Sequence, residues 1–307
     1  MKLYYGNELP DLAGCVVSLG TFDGCHNGHR RVLRRAVAQA RTLGVPCVVL
    51  TYREHPLKTI APDKAPSALQ DVHQRLLSLQ ALGVDAVCLR SFTPQEASTE
   101  PDVFVKRLVA AMDVRAVVLG RSNAFGKGGH GTPVFLEKEG KRYGFSVEIV
   151  DTLRIGGEKI TSTAIRNHLE AGRMSAANAM LGYDYALEGD IVRGKQLGRT
   201  IGFPTINVEL PKDRQFPKFG VYAGWADVAG SSRPCVMNIG IKPTVQGSSP
   251  LLEAHLLHYS GNLYDLSANV RIHAFLRPEK KFASVDELQN AIATDVIKAK
   301  HIIFGRS

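Results

Sequence analysis

The first 182 residues alternate short apolar runs with segments of helical period. CVVSLG (15–20) predicts a buried strand, and HRRVLRRAVAQARTLG (29–44) a helix that stops at Gly44. PCVVLTY (46–52) predicts a second strand. LQDVHQRLLSLQALG (69–83) places Leu69, Val72, Leu76, Leu79 and Leu82 on one helical face. DAVCLRSF (85–92), RAVVLG (115–120) and FSVEIV (145–150) predict further strands, and PDVFVKRLVAAM (101–112) a helix with proline in its first turn. Continuous apolar strands separated by helices predict a parallel sheet covered on both faces.

The pattern changes near residue 183. EGDIVRG, GVYAGWADVAG, SRPCVMNIG, LEAHLLHY and NVRIHAFL alternate with period two between glycine and proline signals. That pattern predicts an antiparallel barrel or sandwich. A closing helix is expected over 284–299, with Ser284 as cap and Glu287 at the capping-box position. The boundary is placed after the helix TSTAIRNHLEAG and the segment MSAANAMLG, giving domains 1–182 and 183–307.

A length of 307 residues suits one large domain or two modest ones. There is no run of about 18 apolar residues, so no transmembrane helix is expected. The start, MKLYYGNELPDL, lacks the apolar stretch of a secretory signal. Five scattered cysteines without a CxxC pair argue for a reducing, cytoplasmic setting and against structural zinc. The net charge of +9 points to anionic partners. RRVLRR (30–35) is the densest basic cluster, with Arg30/Arg34 and Arg31/Arg35 at like-charge helical spacing. It reads either as a solvated helix face or as a funnel for polyphosphate, and without interleaved aromatics it is a poor nucleic-acid reader.

GTFDGCHNGH (20–29) falls between the first strand and first helix, where ligands of open parallel sheets bind. Gly20 and Gly24 permit a tight turn, and Gly28 lets the helix start come close to a ligand. The helix N-terminus favours an anion. His26 and His29 could donate to phosphate oxygens, hold a metal, or serve as cap and core residues. In GEKITSTAIR (157–166), Ser162 and Thr163 could cap a helix, with Arg166 one turn inside. Hydroxyls, a helix start and an arginine suit a triphosphate tail. GDIVRGKQLGRTIGFPTINV (189–208) combines glycine-rich turns with Pro204, Thr205 and Asn207. Taken alone it is a pair of barrel turns, and it is not a Walker loop.

HNGH with TSTAIR resembles the HxGH and (S/T)STxxR signatures of the nucleotidylyltransferase superfamily. GTFDGCHNGH, TYREHP, GKGGHG and ITSTAIR, in that order, resemble the adenylyltransferase module of bacterial bifunctional riboflavin kinase/FAD synthetases. The second half carries GxxxGRxxGFPTxN, then GVY (220–222), NIGIKPT (238–244), LEAHLLHYSGNLY (252–264) and FLRPEKKF (275–282), which resemble riboflavin kinases. The resemblance implies a Rossmann-like nucleotidylyltransferase sheet followed by a kinase-type antiparallel β-barrel with a terminal helix. It implies phosphorylation of riboflavin to FMN and adenylylation of FMN to FAD, with ATP as co-substrate and Mg2+ bridging phosphates. It also implies that in the first module no side chain attacks covalently. His26 and His29 would stabilise the triphosphate and transition state, and Ser162, Thr163 and Arg166 the β- and γ-phosphates. Gly20, Phe22, Asp23, Gly24 and Gly28 would form the nucleotide loop, and Asn123 a flavin contact.

In the second module Gly194, Lys195, Gly198, Arg199, Gly202 and Pro204 would wrap ATP, and Thr205 and Asn207 would hold the metal. Asn238 would contact flavin, and Glu253 would act as general base, sharing a strand face with His255, Leu257 and Tyr259. The partners implied are small molecules, without nucleic acid or membrane. The chain departs from the family in GRSNAFG (120–126), at Gly129 and at Ala164. Ser122, Ala124, Gly129 and Ala164 stand where relatives keep an Asp/Asn and three arginines. Arg121 and Asn123 are the candidates to substitute. The alternative expectation is therefore a riboflavin kinase with a weakened or altered adenylyltransferase.

Overall fold

A computed structural model describes residues 1–194, 197–244 and 247–305. The chain forms two compact units, Met1–Ser162 and Thr163–Ser307.

The first unit contains β1 (Lys2–Tyr5), β2 (Cys15–Leu19), α1 (Asn27–Leu43), β3 (Cys47–Tyr52), α2 (Leu57–Ile60), α3 (Val72–Ala81) and β4 (Ala86–Arg90). It continues with α4 (Pro94–Ala97), α5 (Pro101–Met112), β5 (Val114–Gly120), α6 (Pro133–Tyr143), β6 (Ser146–Val150) and the small hairpin β7 (Arg154–Ile155) and β8 (Glu158–Lys159). Six strands pair in the order β1-β4-β3-β2-β5-β6, all parallel. Alternate strand residues serve opposite faces. Cys15, Val17 and Leu19 pack with Val105, Leu108 and Met112 of α5 on one side. Val16 packs with Val32 and Ala36 of α1 on the other. From β2 the chain winds to β3 and β4 in one direction, and β5 and β6 continue in the other. The strand order therefore reverses between β2 and β5, and a crevice opens beyond their C-terminal ends.

The strands fall where the hydrophobic pattern predicts, and α5 spans 101–112 as expected. Two expectations change. α1 begins two residues early, because His26 supplies a side-chain cap. The helix expected from Leu69 begins only at Val72, because Asp71 caps it by accepting from Gln74 N–H. Leu69 is buried instead in the preceding loop. β1 and α6 were not anticipated. β1 is a four-residue edge strand, and Gly140 sits within the eleven-residue α6.

The second unit starts within α7 (Ser162–Glu170), followed by α8 (Met174–Leu181), β9 (Tyr185–Val192), α9 (Leu197–Thr200) and β10 (Ile206–Glu209). Then come β11 (Gly220–Val228), β12 (Ser231–Thr244), β13 (Gly247–Leu256), β14 (Ser267–Pro278) and α10 (Val285–Phe304). Six of these strands close a barrel in the order β10-β13-β12-β11-β14-β9, which decides between the barrel and sandwich readings. Every pair is antiparallel. Tyr185, Leu187, Tyr222, Met237, Leu252 and Val270 are among the buried strand side chains. α10 lies on the outside, where Ala299 packs with Val221, Ala223 and Val236. Its cap is Ser284, as expected, but Glu287 reaches back to Ala283 N–H (3.2 Å). Trp225, the only tryptophan, sits on β11 under the Arg271 guanidinium, 5.3 Å from the ring centroid.

Leu108 is fully buried between α5 and the sheet. Leu108→Ala is expected to lower stability by about 2–5 kcal/mol, read as a fall in the urea midpoint by circular dichroism.

Candidate active sites

The first site forms at the β2–β5 crevice. Residues 20–26 leave the end of β2 and turn into α1. Phe22 and Cys25 take left-handed φ values of 50° and 33°, conformations that the compact loop imposes. His26 is the N-cap of α1, and its Nδ1 accepts from His29 N–H at 3.2 Å. A neutral His26 accepting at Nδ1 carries its proton on Nε2. The two imidazoles stack 3.6 Å apart at 14°, with Phe22 edge-on to His29 at 5.4 Å. Gly28 permits this pairing, since a Cβ there would stand 3.1 Å from the His26 ring. The cap reading of His26 is thus correct, and it also fixes the ring against its neighbour.

Burial, reinforced by His26 and Arg75, holds His29 well below the usual histidine range. Its Nδ1 is buried without a hydrogen-bond partner. Both observations describe a neutral imidazole ready to engage a ligand. Burial pushes the Cys25 thiol up to about 11, so it is no nucleophile at neutral pH. The Asp23 carboxylate accepts from Leu69 N–H (3.0 Å) and Gln70 N–H (3.1 Å). The Asp23 carbonyl accepts from Ser162 Oγ at 3.0 Å. Asp23 therefore ties the loop to two other segments. Gly20 N–H bonds Leu50 O, and Gly24 adopts φ 77°. α7 opens at Ser162, so Ser162 and Thr163 lie inside its first turn and neither is the cap. Arg166 is buried on the same helix.

Asn123 follows β5 and bridges the crevice, donating from Nδ2 to Leu19 O at 2.8 Å. Its Oδ1 is buried without a partner. Arg121 does not fill the place of the absent arginines. Its guanidinium pairs with Asp151 at 2.6 Å in an exposed ion pair. Ser122 and Ala124 are exposed, and Gly129 has φ 71°. Sequence reasoning missed Arg75. This buried guanidinium donates to Thr21 O (2.9 Å), Tyr52 O and Arg53 O, clamping the ends of β2 and β3 beside His29. One signal was present: an arginine within the apolar stripe of α3. Among the described residues no group of three or more His, Cys, Asp or Glu side chains comes together.

The second site lies on the outer face of the barrel. Strand register places Asn207 of β10 opposite Glu253 of β13, and Glu253 opposite Asn238 of β12. Directly opposite residues share a face, so the three polar side chains form a row across three strands. They line a cavity of about 470 Å³ with Thr205, His255 and apolar residues including Ile201 and Phe282. His255 lies on the Glu253 face, as alternation predicts. The strand ends at Leu256 and His258 turns to φ 57°, so the alternation does not extend to Leu257 and Tyr259. His255 Nδ1 meets Pro204 O at 2.8 Å, and its ring meets Phe203 edge-on at 5.4 Å, pinning the segment that carries Thr205.

Gly194 presses on this row: a Cβ would stand 2.4 Å from Asn207 Nδ2. Gly198 accepts from Phe203 N–H at 2.7 Å, and Gly202 has φ 80°. Asn238 Nδ2 donates to Glu279 Oε1 at 3.2 Å. Lys195 and the side chain of Arg199 lie outside the described residues. Asn207 is 6% exposed, and its Oδ1 is a buried acceptor without a partner. With the Thr205 hydroxyl it offers the neutral oxygens that a hard divalent cation takes. The residues present therefore fit a metal.

A histidine-tipped helix at a sheet switch point and a polar row in a barrel-wall cavity define a two-module transferase for phosphate-bearing substrates. The FAD synthetase family model matches residues 9–164 and the riboflavin kinase model residues 181–303. The chain belongs to the bifunctional riboflavin kinase/FMN adenylyltransferase family. It is 38% identical to the Escherichia coli K12 member over 95% of this chain and 93% of that one. The Pseudomonas fluorescens member is 38% identical over 98% and 97%, and that of Bacillus subtilis 32% over 92% and 90%. Among solved structures, a macrolide-efflux protein from Streptococcus pneumoniae superposes with a TM-score of 0.86 at 29% identity, covering 96% of this chain and 95% of that one. No described helix of the present chain is long and apolar enough to cross a membrane.

The depressed His29 sets a pH dependence. Below its ordinary value of 6.5 the unfolded chain gains a proton that the folded state refuses, so stability falls as pH drops from there. His29→Asn is expected to flatten the decline in Tm between about pH 6.5 and 5, measured by thermal melts across that range.

Proposed function

We propose that the protein phosphorylates riboflavin to FMN in the barrel-wall cavity and adenylylates FMN to FAD at the β2–β5 crevice. The observation that carries the kinase reading is the buried, unpartnered Asn207 Oδ1 in one row with Glu253. Glu253 takes the proton of the ribityl 5′-hydroxyl as that oxygen attacks the γ-phosphorus of ATP, the bond to the β,γ-bridging oxygen breaks, and ADP leaves. Thr205 and Asn207 would hold Mg2+, which supplies charge neutralisation on the phosphates when bound. Gly194, Gly198 and Gly202 let the backbone approach ATP, with Lys195 and Arg199 as cationic contacts and Pro204 fixing the turn. The apolar wall suits the isoalloxazine ring, and Asn238 offers it a polar contact.

In the crevice, the FMN phosphate attacks the α-phosphorus of ATP and pyrophosphate leaves. His26 Nε2–H and His29 donate toward the oxygens where charge grows, and Ser162, Thr163 and Arg166 hold the outer phosphates. Gly20, Phe22, Asp23, Gly24 and Gly28 shape the loop, and Asn123 turns its open Oδ1 to the flavin. We place the functional boundary after Gly182, whose left-handed backbone ends α8 next to the start of the riboflavin kinase match. Five free, buried cysteines support a cytoplasmic setting.

A second reading has its own support. Arg121 is held by Asp151, and Ala124, Gly129 and Ala164 carry no charge, so the crevice has fewer cations than the family motifs imply. On this reading the kinase is the stronger activity and FAD formation is slow. Purified protein given riboflavin, ATP and Mg2+ separates the two, with products followed by chromatography. Full conversion to FAD supports the first, and FMN that accumulates without FAD supports the second.

Glu253→Gln is expected to cut FMN formation by about 100-fold or more while leaving FAD formation from supplied FMN intact. His29→Ala is expected to do the opposite. Loss of both activities in either variant would refute the assignment of separate sites.

A further inference from the structure

The basic cluster RRVLRR remains unused by either reaction. α1 presents Arg31, Arg34 and Arg35 on its exposed side, three and four residues apart and therefore adjacent. The segment before α7 closes over this side and brings Arg154 to it. Together these four arginines wall a groove of about 370 Å³, floored by Leu153, Ile155 and Ile160. Arg35 is paired with Glu148 at 2.5 Å, and Arg154 donates to Gly157 O. Among the described residues Arg31 and Arg34 form no ion pair. Strand β8 adds one acid, Glu158, and one base, Lys159, so beyond Arg154 the hairpin contributes no net charge. Four guanidinium groups from two segments are thus gathered in a concavity against one paired carboxylate. Adjacent like charges on a helix repel, and a bound polyanion removes that repulsion.

We propose that this groove is a second anion site, separate from the catalytic crevice, that takes an inorganic oligophosphate such as pyrophosphate. Asn27 and Ile160 line the groove, and both also border the crevice, through the first turn of α1 and the carbonyl facing Gly28. The groove therefore lies beside the crevice, across the first turn of α1. Its use as an exit station for the product of nucleotidyl transfer rests on the function proposed above. Its capacity to bind the anion does not.

The test uses the full chain saturated with a non-hydrolysable ATP analogue, titrated with pyrophosphate by calorimetry. One further pyrophosphate is expected to bind per chain, more weakly as salt is raised. R31Q/R34Q is expected to weaken it by at least about tenfold, and R31K/R34K to retain most of it. The KM for ATP in both reactions should stay unchanged in R31Q/R34Q, which also shows that the variant is folded. The proposal is overturned if the analogue abolishes pyrophosphate binding. It is also overturned if R31Q/R34Q binds as the parent does, or if the KM for ATP in FAD formation rises in step with the loss. A chain that binds only one analogue, at the barrel, would refute the adenylyltransferase reading. Arginine-dependent pyrophosphate binding would survive that result.

Discussion

A six-stranded barrel has no room for a ligand once side chains fill it. Here the inward positions of the strands are taken by Tyr185, Tyr222, Met237 and their neighbours. Chemistry is therefore confined to the outer face, and period-two alternation decides which residues reach it. Register then does the rest. Asn207, Glu253 and Asn238 are far apart in sequence, yet the β10–β13–β12 pairing sets them side by side. A slip of one residue in β13 would turn Glu253 inward and Leu252 outward. The site and the barrel core are consequences of one register.

The first unit follows a different constraint with the same economy. Parallel strands all end on one side, and the order reversal leaves a gap only between β2 and β5. The two loops that matter follow those strands. Asn123 ties them together through Leu19 O, while the His26 cap sets the geometry of the histidine pair. Burial, with His26 and Arg75 beside it, keeps His29 neutral in the free protein. A phosphate bound there, as proposed above, would bring the opposite charge and favour protonation of the pair.

Much of this was legible in the sequence because the signals were periodic or local. The core strands and α5 declared themselves by continuous apolar runs, and the closing helix by Ser284. The glycine motif taken alone read as barrel turns, and it was legible only through its resemblance to riboflavin kinases; the structure adds that Gly194 and Asn207 are pressed together. Other features depend on long-range contacts. Whether the second half closes into a barrel depends on β9 pairing with both β10 and β14, which no local pattern encodes. Arg75 looks like an ordinary polar interruption of a helix until three carbonyls gather around it. Arg121 looked like a substitute for a missing arginine, but Asp151, thirty residues on, claims it. The start of α3 was misjudged because Asp71 competes for the backbone that the leucine spacing had assigned to the helix.

The placement of Trp225 has an optical consequence. It is the only indole in the chain, and it lies on β11 of the same barrel that carries the Asn207–Glu253–Asn238 row. Isoalloxazine absorbs in the region where indole emits, and a barrel of this size keeps donor and acceptor well within energy-transfer range. A flavin held at the barrel wall, as proposed, would thereby register in the protein's own ultraviolet emission. On that proposal Trp225 is a label-free reporter carried by the barrel itself.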